Sequence, residues 1–267
     1  MLSSAAVRRR VLVGALWLLG AGVTGAWAGS ALEFGPGPLQ EQQSRFGRVR
    51  ESRARAGAAV DRMFARAGLP YPTPLLLRAF KNEERLELWA MSSVAGKYLR
   101  VAVFPFTGYS GDLGPKRRRW DRQIPEGFYL VKGFNGASRF HLSIEVDYPN
   151  ASDRVLSDRR HPGNNIFIHG NEVTNGCIPL GDAAIERLYL AALDSRAAGF
   201  EVPVHIFPCD FDDPGCERTL ASYARRRPAL RGFWANLEEG FRLFVRDARP
   251  PGISVDAAGR YLFATPR

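Results

Sequence analysis

Cys177 stands eight residues after His169, directly behind a glycine, in the stretch Ile166-Phe-Ile-His169-Gly170-Asn-Glu-Val-Thr174-Asn175-Gly176-Cys177. A free thiol is only a few per cent thiolate near neutral pH, so a nearby imidazole base is what makes it a working nucleophile. The apolar run predicts a strand whose end fixes the His169 imidazole, and the short loop behind it returns the thiol to the base. Gly176 tolerates backbone angles that other residues resist. The amides of Gly176 and Cys177 could then converge as an oxyanion hole, worth a few kcal/mol of transition-state stabilisation per donor. The carbonyls of Thr174 or Asn175 are candidates to hold the other imidazole nitrogen and fix its tautomer. A small buried cysteine near a loop histidine is the plainer alternative.

The elements that must position this pair change style along the chain. Val49, Ala56, Val60, Met63, Phe64 and Ala67 recur near helical spacing and predict one helix over 41–67, ended by Gly68 and Pro70. From Leu75 the period becomes two. Leu75–Lys81, Leu86–Met91 and Tyr98–Phe104 read as strands, as does Phe128–Val131 after the Pro125-Glu-Gly127 turn. Phe140, Leu142, Ile144 and Val146 alternate with His141, Ser143, Glu145 and Asp147, which predicts a strand with two distinct faces. Asn165–His169 and Val202–Phe207 are further strands, and Pro203 places the latter at a sheet edge or a strand start. After Cys177 a helical stripe returns at Ile185, Leu188, Tyr189, Ala192 and Leu193, with Asp182 as its cap and Gly199 as its end. Phe233, Trp234, Leu237, Phe241, Phe244 and Val245 predict another helix before Pro250-Pro251. The body reads as a strand-rich core with helical segments at both ends.

Arg8, Arg9 and Arg10, the apolar run from Val11 to Thr24 and Ala26-Trp27-Ala28 read as an export signal over 1–28, with the mature chain starting at Gly29. An uncleaved anchor is the alternative, since 11–28 is at the lower limit of a membrane span. The chain of 267 residues carries a formal charge of +10, and removing a leader with three arginines and no acid leaves +7. That balance favours anionic partners, or only solvated faces. Export opposes nucleic acid as a partner, and no aromatic-basic motif of the single-strand type appears. Of the three cysteines, Cys209 and Cys216 bracket a short turn-rich loop. A disulfide there would contribute roughly 2–3 kcal/mol and leave Cys177 unpaired; three free thiols are the other possibility.

His169-Gly170 followed by Thr174-Asn175-Gly176-Cys177 resembles the signature of the L,D-transpeptidase catalytic domain, His-Gly and then Ser/Thr-x-Gly-Cys. The resemblance is nearest to the YafK-like branch of this YkuD-type family, which shares the short spacing. It extends to Leu86-Glu-Leu-Trp89, Leu113-Gly-Pro-Lys116, Pro125-Glu-Gly-Phe-Tyr129, Ser138-Arg-Phe-His-Leu-Ser143, Tyr148-Pro-Asn150 and Pro203-Val-His-Ile-Phe-Pro208, and so runs from about Leu75 to Pro208. Phe233-Trp-Ala-Asn-Leu237 is similar to that branch's C-terminal extension. The resemblance implies a mainly β, β-sandwich-like catalytic core over 75–210. A helical segment over 29–74 and a helical extension over 211–267 flank it, making the whole α+β.

It also implies chemistry. Cys177 is expected to form a thioester with a peptidoglycan stem peptide, His169 to take the thiol proton and later protonate the leaving amine, and no cofactor to be needed. An amine acceptor gives transfer and water gives hydrolysis. The branch is associated with cutting the link between peptidoglycan and an outer-membrane lipoprotein, so stem peptides and wall-linked lipoprotein are the expected partners and the periplasm the expected location. Many family members carry Arg just after the cysteine, whereas Ile178-Pro179-Leu180 follows here. Lys116, Arg117 and Arg139 are therefore candidates to bind a stem-peptide carboxylate, with His141 and Tyr148 as further groove residues. His141, His161, His169 and Asp147 could be assembled into a metal site on paper, but no motif supports one. The competing reading is a non-catalytic wall-binding or scaffold protein that keeps the fold.

Overall fold

The computed structural model describes residues 37–265. The export signal expected over 1–28, its alternative as an anchor, and residues 29–36 lie outside the described residues. Two helices come first, α1 (Pro38–Ser44) and α2 (Gly47–Arg66). The single helix expected over 41–67 is broken at Arg45-Phe46. Phe46 is extended (φ −81°, ψ 122°), which turns the chain so that Val49, Ala56, Val60 and Phe64 of α2 all face the core.

The strands that follow are β1 (Leu75–Phe80), β2 (Arg85–Ser92), β3 (Lys97–Pro105), β4 (Gly127–Asn135), β5 (Ser143–Val146), β6 (Ile166–His169), β7 (Ile178–Pro179) and β8 (Pro203–Phe207). They form one curled eight-stranded sheet in the order β3-β2-β1-β8-β4-β5-β6-β7. The curl has a local cause. Gly127 to Leu130 of β4 pair with β8, while Val131 to Asn135 pair with β5, and the register shifts between Val131 and Gly133. A bulge of this kind increases twist and bends the strand. Pro203 starts β8, but the strand is central, between β1 and β4, so of the two placements its proline allowed only the strand start is right.

The alternation expected from Phe140 to Asp147 is realised only over Ser143–Val146. Residues 139–142 turn instead, with His141 at φ +67°. Asn150 then caps a short helix that periodicity did not predict, α3 (Ala151–Leu156), by accepting from the Asp153 amide. α4 (Asp182–Ala197) starts from Gly181 at φ +71°, not from an Asp182 side-chain cap. The Asp182 carboxylate accepts the Asn171 amide instead and ties the helix start to the His–Cys loop.

Helices cover both faces of the sheet. The main apolar core joins α2 and α4 to β1, β2, β4, β5, β6 and β8, with Phe64, Leu77, Ile144, Ile168, Tyr189 and Ile206 at its centre. On the other face, Phe80, Phe128 and Phe207 pack against α6 (Ala229–Asp247) through Trp234, Leu237 and Phe241. α5 (Cys216–Arg226) lies beside α6, and Cys209 is disulfide-bonded to Cys216, the first residue of α5. The helical extension expected over 211–267 holds α5 and α6 but is not helical to its end. It ends in a hairpin, β9 (Gly252–Val255) and β10 (Tyr261–Ala264), docked through buried Tyr261, whose amide donates to Asn236 Oδ1. Val245 also points outward, so that helix's apolar face is narrower than expected. The described residues form one compact unit, and the flanking segments complete the packing of the strand region. Among the described residues no helix is long and apolar enough to cross a membrane.

Candidate active site

β6 and β7 run parallel, with Ile168 opposite Ile178 and His169 opposite Pro179. Ile168 and Ile178 are fully buried in the core. Side chains alternate along a strand, so Phe167 and His169 project from the other face. Cys177, one residue before Ile178, projects with them. The eight-residue spacing thus carries the chain round a tight loop and returns the thiol to the face of the imidazole.

His169 is buried, with its ring packed on Phe140 at 4.7 Å between centroids. Its Nδ1 lies 2.5 Å from the Gly170 carbonyl. A carbonyl oxygen only accepts, so Nδ1 carries the proton and Nε2 is left as the basic nitrogen. Burial holds the imidazole below its ordinary pKa, with the Gly170 contact opposing. Gly170 therefore does what was expected of Thr174 or Asn175. Thr174 has a different task, since its hydroxyl donates to the Cys177 carbonyl and accepts the Cys177 amide.

The thiol is half-buried and unpaired, and it donates to the Asn165 carbonyl at 3.7 Å. Burial pushes its pKa up, while the Phe167 backbone and the Lys116 ammonium pull it down. These shifts leave the resting thiol and imidazole both neutral, on one face of the sheet.

The expected oxyanion hole is occupied from within. The Gly176 amide donates to Ser110 Oγ at 2.7 Å and the Cys177 amide to Thr174 Oγ1 at 3.0 Å. Gly176 has φ +92°, and a Cβ there would stand 2.8 Å from the Gln123 carbonyl oxygen. Residues 106–126, between β3 and β4, thus press on the His–Cys loop. A like contact recurs at Gly108, where a Cβ would clash with the Glu172 carbonyl oxygen. Nothing in the spacing of the sequence pointed to Ser110; the glycines around it mark a loop but not its partner.

Of the expected substrate-binding residues, Lys116 is buried and paired with Asp121 at 2.6 Å. Arg117 is paired with Asp153 at 3.0 Å and stacked on Phe233. Neither is free for a stem-peptide carboxylate, because each is committed to a carboxylate of its own. His141 donates from Nε2 to Glu186 at 2.8 Å and so braces the site from behind. Tyr148 is buried and donates to the Pro162 carbonyl, at the wall of the cavity that Asn165 lines. Arg139 alone is exposed, next to Phe140. A cavity of about 430 Å³ lies beside the Asn165 carbonyl that receives the thiol, and Lys132 and Arg154 are among its lining residues. His205 is buried, and burial pushes it down to about 3, so it is a neutral core group.

The YkuD family, the L,D-transpeptidase catalytic domain, matches residues 76–206. YafK of Escherichia coli strain K12, a provisionally named L,D-transpeptidase, is 30% identical over 197 residues, which cover 73% of this chain and 75% of that protein. The chain belongs to the L,D-transpeptidase family. It is thus a member of a family that modifies peptidoglycan. The same extent and identity hold for YafK of E. coli O157:H7. Among solved structures, the helical cell shape determining protein Pgp2 of Campylobacter jejuni is 19% identical with a TM-score of 0.41, over 57% of this chain and 56% of that one. Bd1075 of Bdellovibrio bacteriovorus is 17% identical with a TM-score of 0.37, over 64% and 58%. The chain spans little more than half the length of each of these two structures.

Proposed function

We propose that this L,D-transpeptidase family member is an exported cysteine enzyme that acts on peptidoglycan stem peptides through a Cys177 thioester. The observation that carries this is the tautomer. With Nδ1–H held by Gly170, His169 Nε2 is a free base on the same sheet face as the thiol. The Cys177 proton passes to Nε2, Sγ attacks the carbonyl, and the breaking C–N bond takes the proton back from the imidazolium. A second amine or water then opens the thioester. The oxyanion takes the Gly176 and Cys177 amides once the Ser110 and Thr174 hydroxyls release them. Arg139, and Arg154 in the cavity beside Asn165, are the cations left to receive a stem-peptide carboxylate, since Lys132 is paired with Glu145 at 2.6 Å. The short spacing from His169 to Cys177, which resembles that of the YafK-like branch, is the ground for proposing hydrolysis of a peptidoglycan–lipoprotein link as the reaction direction.

The test is incubation with purified sacculi, some carrying bound lipoprotein, followed by mass spectrometry. Released lipoprotein or shortened stems indicate hydrolysis, and new 3→3 cross-links indicate transfer. Cys177→Ala abolishes either product. If neither product forms, or Cys177→Ala retains full activity, the thioester scheme fails. One observation favours the scaffold reading, namely that both expected oxyanion donors are already engaged. A thiol-reactive probe separates the two, since an activated Cys177 outpaces free cysteine at pH 7 and a scaffold thiol does not.

A further inference from the structure

Away from the catalytic face, α2, β3 and α4 enclose a groove of about 540 Å³ lined by Arg62, Arg66, Arg100 and Arg187 over a floor of small and apolar residues. The floor is Ala59, Met63, Ala67, Val101, Ala102 and Val103, so no acidic residue lines it. Elsewhere the arginines of α2 are engaged: Arg48 on the carbonyls of Ser138 and His141, Arg53 on Asp194 and Arg55 on Glu186. Arg62 and Arg66 are exposed and, like Arg187, have no ion-pair partner among the described residues. They stand four apart on one helix face, where like charges repel unless something anionic lies between them. Arg187 is held in place by stacking on Phe104 and by donating to the Ala183 carbonyl. Arg100 shares Glu87 with Arg85.

We propose that this groove binds the headgroup of an anionic phospholipid and so docks the protein on a membrane surface. Guanidinium forks match phosphate oxygens, and the cavity volume is that of a small-molecule site. A phosphate polymer would use only the cations. The apolar floor, whose Val103 is 46% exposed at the groove, suits a ligand whose phosphate carries a glycerol and acyl chain. The inference is independent of Cys177.

The experiment is calorimetric titration of the full chain with dihexanoyl-phosphatidylglycerol below its micelle concentration. Parallel arms use dihexanoyl-phosphatidylcholine, inorganic phosphate and polyphosphate. The anionic lipid binds tightest, and Arg62→Gln with Arg66→Gln weakens it about 25-fold, at roughly fivefold per cation near a lipid surface. Arg225→Gln with Arg226→Gln on α5, an equal loss of charge outside the groove, leaves binding unchanged. Arg187→Gln repeats the test from α4 should the α2 substitutions disturb folding. Equal binding of phosphatidylcholine, equal or tighter binding of phosphate or polyphosphate, or no effect of the groove substitutions overturns the proposal.

Discussion

At the scale of single residues, the candidate site is set by what holds each proton. A buried imidazole whose pKa lies below its ordinary range stays neutral, and thus able to accept, at pH values where an exposed histidine is charged. The acid limb of kcat/KM is therefore expected below the ordinary value of about 6.5. Phe140→Ala, which strips the ring from His169, moves that limb upward toward it. A pH profile on a stem-peptide substrate checks both, and an acid limb above about 6.5 in the wild type contradicts the burial argument. Gly176 is the second test. A side chain there combines a left-handed backbone with a clash against the Gln123 carbonyl oxygen, each costly. Gly176→Ala is expected to lose about 2–4 kcal/mol of stability and most of the activity, read from a denaturant midpoint and a turnover assay.

At the scale of elements, two helices brace the turn that carries Phe140. Arg48 of α2 donates to the carbonyls of Ser138 and His141 at 2.6 and 2.7 Å, while Glu186 of α4 accepts from His141 and also holds Arg55 of α2. The helix before the strand region thus positions the histidine at its centre. Arg48→Ala is expected to cost about 1 kcal/mol, because the side chain is exposed. Its larger effect falls on kcat, with KM little changed. A steady-state comparison with Arg45→Ala, on a neighbouring arginine outside this brace, separates positioning from charge.

At the scale of the whole molecule, the long connection between β3 and β4 is pinned by a fully buried pair. Lys81 Nζ donates to Glu126 and to the carbonyls of Gly114 and Ile124, and Glu126 also accepts the Gly114 amide and Trp234 Nε1. This ties β1, the loop that presses on Gly176, and α6 into one network. Lys81→Met leaves a buried carboxylate without its cation and is expected to cost about 3–5 kcal/mol, measured as a shift in urea midpoint. The double substitution with Glu126→Gln recovers part of that loss, because the orphaned charge is gone.

The candidate site was legible in the residues. A histidine, a short loop and a Gly-Cys pair form a pattern that local chain geometry can satisfy alone, and the apolar periods of β1, β2, β6 and α4 announced where it must be mounted. The break at Arg45-Phe46, the turn at 139–142 and the C-terminal hairpin were not legible. Each is decided by contacts with distant chain, such as the docking of Tyr261 on Asn236, and local periodicity carries no record of those. The cations Lys116 and Arg117 looked available because sequence shows a charge but not the carboxylate that folding brings to it. Sequence by itself determined which atoms could react. Only the tertiary structure decided that Gly170 sets the tautomer, that Ser110 and Thr174 hold the resting amides, and which arginines remain uncommitted, because partners so far apart along the chain meet only when the sheet closes.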